Sequence, residues 1–160
     1  ILGVISKNAH GLGLELILAC DVRICGLKSK FSMSHVMQGV IPSDGGTQRL
    51  PRIVGQGRAL EIILTGRVVK APEALEMGMV HRVSATDPLK DAHCIAGKIS
   101  THGPKAAQYL KEAIYTGVDM TLRQGMNLEA DMSVILQSTL DRTEGINSFL
   151  EKRDPNFKGD

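Results

Sequence analysis

An α/β fold followed by a helical tail is what this 160-residue chain predicts. Three observations support that expectation. Short apolar runs alternate with helical patterns over the first half. Glycines and prolines punctuate the changes between them, and from Pro88 onward one helical pattern follows another. Alternation at this spacing favours mostly parallel strands, and the length suits one domain or most of one.

The elements follow in order. Leu2 to Ser6 is a short apolar run, read as a strand covered on both faces. Residues Lys7 to Gly11 read as a turn, and Leu12 to Cys20 as a helix that is apolar except for Glu15. Val22 to Cys25 reads as a second buried strand and Phe31 to Met33 as a third. A loop containing Gly39, Pro42, Gly45 and Gly46 leads to a short helix over Thr47 to Val54. Ala59 to Leu64 continues as a helix stopped by Gly66. Pro72 in the first turn and Gly78 past the end bracket the next helix. Val80 to Val83 returns as a strand. In the tail, Ala106, Ala107, Leu110, Ala113 and Ile114 share one helical stripe, as do Leu128, Met132, Ile135 and Leu136. Asp141 and Glu144 have the spacing of a capping box for a helix over Arg142 to Leu150. The tail carries more apolar surface than a monomer easily hides, so oligomerisation is expected.

Composition narrows the function. Apolar residues at 42% supply a core and charged residues at 22% cover it. A net charge of +2 with 3% aromatics gives nucleic-acid binding no support. Cys20, Cys25 and Cys94 make no even disulfide set. Cys20 and Cys25 lie in segments that read as buried, so reduced core thiols in a reducing compartment are expected. No Cys or His pair has zinc-ligand spacing backed by a second pair, so no metal is expected. No signal peptide is visible, no run reaches membrane-spanning length, and the chain opens at Ile1 inside a strand pattern. The expectation is an intracellular protein, cytoplasmic or mitochondrial rather than secreted, with an N-terminal part lying ahead of Ile1.

The chemistry concentrates in two stretches. In residues 8 to 23, Gly11 and Gly13 precede an apolar helix, where unbonded backbone N–H groups suit an oxyanion. Glycines alone there favour the plainer explanation, tight packing of helix on sheet. Glu15 shifts the balance, because a carboxylate in an apolar turn is costly unless paired or used. In residues 30 to 55, the glycine-rich loop before a helix could cradle an anion, but no phosphate-binding lysine follows. His35 alone suits a surface or satisfied histidine. There is no Gly-x-Ser-x-Gly elbow, and GLGLE lacks the third glycine of a dinucleotide fingerprint.

The segments GLGLELILACDVR, IPSDGGTQRLPR, LTGR…APEALEMGMVHRV and DRTEGINSFLEKR match, in order and spacing, the pattern of the crotonase (enoyl-CoA hydratase/isomerase) superfamily. The chain resembles the C-terminal portion of that family over its whole length. The resemblance implies that residues 1–87 are the C-terminal part of a ββα spiral core. It implies that residues 88–160 are a helical trimerisation and CoA-site region, giving a homotrimer or hexamer. An acyl-CoA substrate is implied, with no cofactor beyond the coenzyme A that the substrate carries, no nucleic acid and no membrane. Two backbone N–H groups would bind the thioester oxygen. One is that of Leu12, beside Gly11 in the substrate site; the other belongs to a motif ahead of Ile1. Glu15 falls on a hydratase catalytic glutamate.

The departures are informative. Hydratases carry a second glutamate twenty residues on, where this chain has His35. A histidine can move a proton near neutrality, or can pair with Glu15 and quench it. Leu12 stands where hydratases have glycine. Asp44 adds a carboxylate where they favour small residues, as an extra acid or a solvated loop acid. Phe149 and Lys152 match a region lining the CoA site. The implied function is hydration of a 2-enoyl-CoA through an oxyanion-stabilised enolate, with Glu15 and His35 catalytic. The alternatives are an enoyl- or dienoyl-CoA isomerase, or a weakly active member that only binds acyl-CoA.

Overall fold

A computed structural model describes residues 1–160, which divide into two units, 1–95 and 96–160. The first begins with β1 (Leu2–Ile5), β2 (Asn8–His10), α1 (Leu12–Leu18), β3 (Val22–Gly26) and β4 (Lys30–Ser32). A single 3₁₀ turn at His35–Gln38 leads to α2 (Gly46–Val54) and α3 (Gln56–Thr65). Then come β5 (Val69–Lys70), α4 (Ala71–Glu76), β6 (Arg82–Ser84) and α5 (Pro88–Ser100), whose end crosses the unit boundary. The first four strands alternate between two sheets, β5 stays in the second and β6 returns to the first. One has the order β1-β3-β6, all parallel; the other has β2-β4-β5, with β2 parallel to β4 and β5 antiparallel.

Apolar residues from both sheets and their helices fill one core. Leu14, Phe31, Met33, Leu50, Ile62, Val69 and Met79 are fully buried, each worth about 1.5–3 kcal/mol against exposure for side chains of this kind. Cys25 is buried, and that burial pushes its thiol up to about 11, so it is inert at neutral pH. Cys20 is only half-buried, contrary to the expectation of a core thiol; its thiol lies beside Gly3 and donates to the Leu16 carbonyl at 3.6 Å.

One local expectation fails early. Asn8–His10, read as a turn, is the strand β2. Its order comes from β4: Ala9 pairs with Phe31, and the Lys30 amide donates to Asn8 Oδ1 at 3.2 Å. Three residues are too few to show an alternating pattern, and the partner lies 22 residues away.

The second unit holds α6 (Pro104–Gly117), α7 (Leu122–Gln137) and α8 (Leu140–Glu151). The capping box stands at the start of α7, between Thr121 and Gln124, not at Asp141 and Glu144. The cap of α8 is Thr139, whose Oγ1 accepts the Arg142 amide at 3.2 Å. Asp141 is instead buried and accepts the amides of Lys158 and Gly159 at 2.7 and 2.9 Å. Both acids therefore bind the C-terminal tail to α8. The stripes predicted for α6 and α7 are largely exposed at Leu110, Ile114 and Ile135, and only Met132 is buried. No helix is long and apolar enough to cross a membrane.

Glu144 receives two N–H groups from Arg153, at 2.5 and 2.9 Å, and the Asn156 amide at 2.8 Å. The Arg153 guanidinium first, and then the Asn156 amide, hold this carboxyl at about 2 against an ordinary 4.5. A lowered native value means that the tail's anchorage is complete above the ordinary value and is lost as pH falls through the native one. Arg153→Ala is expected to move the Glu144 midpoint up toward 4.5, read from its carboxyl ¹³C shift.

Candidate active site

The site forms where two parallel strands end side by side. His10 of β2 pairs with Ser32 of β4, so the residues that follow each strand emerge together. After β2 comes Gly11 at φ 51, whose amide donates to the Ser32 carbonyl at 3.0 Å. After β4 the chain turns into the 3₁₀ segment that begins at His35. A Cβ built on Gly11 would stand 3.7 Å from both Cε1 and Nε2 of His35. Glycine is needed here for the positive φ, and it also brings the imidazole edge against the backbone.

From Gly11 the chain enters α1. The amides of Leu14 and Glu15 bond back to the Gly11 carbonyl at 2.9 and 3.1 Å, while the Leu12 amide has no intramolecular acceptor. Leu12 points its side chain outward, 61% exposed. Glu15, one turn on, faces inward with Leu14 and Leu18 and is only 1% exposed.

The loop before α2 solves the cost of burying that carboxylate. Glu15 Oε1 accepts the Asp44 amide at 3.0 Å and the Gly46 amide at 2.7 Å. The glycine-rich loop does cradle an anion, and the anion is the chain's own side chain. A carboxylate at the first amide of α2 is also favoured by the helix terminus. Gly46 has no room for anything larger: a Cβ there would meet Glu15 Oε1 at 2.8 Å and Met33 Sδ at 2.9 Å. Arg49 braces the loop through a 2.7 Å bond from its guanidinium to the Asp44 carbonyl.

The other oxygen, Glu15 Oε2, is buried with no hydrogen-bond partner and lies 3.5 Å from His35 Nε2. His35 Nδ1 is likewise buried and unpartnered. Two surface clefts lie elsewhere, one lined by Pro51, Arg52, Leu60 and Ile63 and the other by Ser133, Leu136, Arg142 and Phe157. Neither is lined by a buried, unpartnered side-chain atom such as those of Glu15 and His35, which mark the candidate site. No group of three or more His, Cys, Asp or Glu side chains is disposed to hold a metal ion.

Gly11, Leu12, Glu15 and His35 therefore come together. Asp44 enters the site by its amide, while its exposed carboxylate accepts the Ser43 hydroxyl at 3.0 Å. Phe149 and Lys152 belong to the second unit, at the end of α8. Phe149 is 82% exposed, and Lys152 is the sole non-glycine residue at positive φ, 55°. Sequence reasoning missed Gly46 and Arg49 as supports of Glu15; the paired glycines before a helix were the available signal.

A sequence profile of the enoyl-CoA hydratase/isomerase family matches residues 1–160. The chain is 37% identical over 160 residues to the 2,3-dehydroadipyl-CoA hydratase of Escherichia coli, covering 99% of this chain and 63% of that protein. It is 42% identical over 148 residues to a short-chain-enoyl-CoA hydratase of Clostridioides difficile, covering 91% of this chain and 96% of that protein. Its fold superposes on an enoyl-CoA hydratase from Bacillus anthracis with a TM-score of 0.92 at 42% identity, covering 96% and 60% of the two chains. The chain thus spans about three-fifths of the length of the Escherichia coli relative. With the site residues at the ends of β2 and β4 and a match from its first residue to its last, the chain belongs to the enoyl-CoA hydratase/isomerase family.

Proposed function

We propose that the protein adds water across the double bond of a 2-enoyl-CoA thioester, with Glu15 as acid/base and the Leu12 amide as one donor to the thioester oxygen. The observation that carries this reading is a buried carboxylate oxygen without a partner, one helical turn from a backbone N–H without an acceptor. A donor aimed at developing enolate charge contributes about 2.7–4 kcal/mol in comparable sites. The hydratase names of its relatives support the same substrate class. The reaction uses no cofactor beyond the coenzyme A of the substrate. Gly11 keeps the backbone open to the thioester, and Phe149 and Lys152 contribute to the CoA site. A trimer or hexamer would cover Leu110, Ile114, Leu140 and Leu150, all exposed here.

His35 in place of a second carboxylate favours a second reading, isomerisation of the double bond. The test is to incubate the full-length protein with crotonyl-CoA and a panel of longer 2- and 3-enoyl-CoAs and weigh the products. Hydration adds the mass of water and isomerisation adds nothing. No conversion of any member would sink both readings and leave an acyl-CoA-binding protein.

A further inference from the structure

We infer that His35 is a positioning residue whose Nε2–H group donates to Glu15 Oε2, so that Glu15 alone exchanges protons with the substrate; the second half rests on the proposed acyl-CoA chemistry. Each of the two side chains has one buried polar atom without a partner, Oε2 of Glu15 and Nδ1 of His35. Consider where the imidazole proton can sit. On Nδ1 alone, it is a buried donor with nothing to accept it, and the bare Nε2 then turns its lone pair toward the carboxylate. On Nε2 it faces a carboxylate oxygen that has no other donor, 3.5 Å away. That separation is a few tenths of an ångström longer than a formed bond, and catalytic hydrogen bonds commonly close only when substrate is present. The Cε1–Nε2 edge of the ring faces Gly11, where a Cβ would stand 3.7 Å from both atoms.

The consequence concerns proton traffic. Glu15 Oε1 is committed to the Asp44 and Gly46 amides, so Oε2 is the oxygen available for chemistry. In hydration, the water oxygen bonds to the β-carbon while its proton passes to Oε2. The double-bond pair moves onto the thioester oxygen as an enolate. The enolate then collapses, taking the proton from Oε2 at the α-carbon. One water is added, the carboxylate is regenerated, and the imidazole is unchanged throughout.

Two measurements on the full-length protein test this. The first is a long-range ¹H–¹⁵N spectrum of the histidine rings near neutral pH, with His35 assigned from the signal missing in His35→Gln. A proton on Nε2 is expected; an unprotonated Nε2 overturns the inference. The second compares kcat of His35→Gln and His35→Ala. The glutamine amide reaches to about the place of Nε2 and donates but cannot titrate. It is expected to keep kcat within about tenfold of wild type, while alanine loses tenfold or more, as on removal of a hydrogen bond to a charged group. If His35 transferred protons, both variants would fall together by about 10²-fold or more, and that result sinks the inference, as does an unimpaired alanine variant. A wild type inactive on every acyl-CoA sinks the hydratase proposal instead, and the tautomer then decides the inference alone.

Discussion

Glu15→Gln is expected to lower kcat for crotonyl-CoA hydration by about 10²–10⁴-fold in the full-length protein, the usual worth of a general acid–base group. The substitution keeps the loop's anchor and sets an amide N–H, in place of Oε2, against the His35 imidazole. A glutamine carbonyl still accepts the Asp44 and Gly46 amides that Oε1 accepts now, so the loop before α2 keeps its anchor and the melting temperature should move little. The amide left at the Oε2 position cannot take a proton from water. Steady-state hydration kinetics and a thermal melt together check it. Activity within a few-fold of wild type would remove Glu15 from the mechanism, whatever the melt showed. Glu15→Ala separates the two roles, because it also orphans two N–H donors at a buried position.

Gly46→Val carries the second large effect. The first atom of any side chain would lie 2.8 Å from Glu15 Oε1 and 2.9 Å from Met33, which is itself fully buried. Neither neighbour is a loose surface chain that can swing aside, so the loop or the carboxylate must move. Overpacking of this kind costs about 1–3 kcal/mol, and a displacement near 1 Å at a reacting group costs about 10²-fold in rate. The expected signature is a drop in kcat well beyond what the fall in melting temperature explains, with Gly46→Ala intermediate. An active, fully stable valine variant would show that the tight loop does not set the position of Glu15.

Much of this was legible in the residues themselves. The alternation of short apolar runs with helical patterns announced the α/β unit, and Glu15 stood out because nothing else in its turn was charged. What could not be read was pairing at a distance. Asn8 to His10 becomes a strand only because β4 lies beside it. Thr139 displaces Asp141 as the cap of α8 because Asp141 is engaged by amides 17 and 18 residues ahead. The anion-cradling loop was visible as a pair of glycines, but its occupant was not, since Glu15 and Gly46 are 31 residues apart. Resemblance suggested roles for Glu15 and Leu12, and the geometry shows the groups that such roles would use: one carboxylate oxygen tethered, the other without a hydrogen-bond partner, and an amide with nothing to bind.

The tethered oxygen has a consequence for descent. Folding requires an acceptor at position 15 whether or not the protein turns over a substrate, so a lineage that abandoned catalysis would still retain glutamate there, or drift no further than glutamine. Position 35 carries a weaker obligation, because His35 Nε2 stands 3.5 Å from Glu15 Oε2 while the two loop amides lie at 2.7 and 3.0 Å from Oε1. Neutral change should therefore surface at 35 before it surfaces at 15, and a surviving acid at 15 is by itself weak testimony that a relative is active.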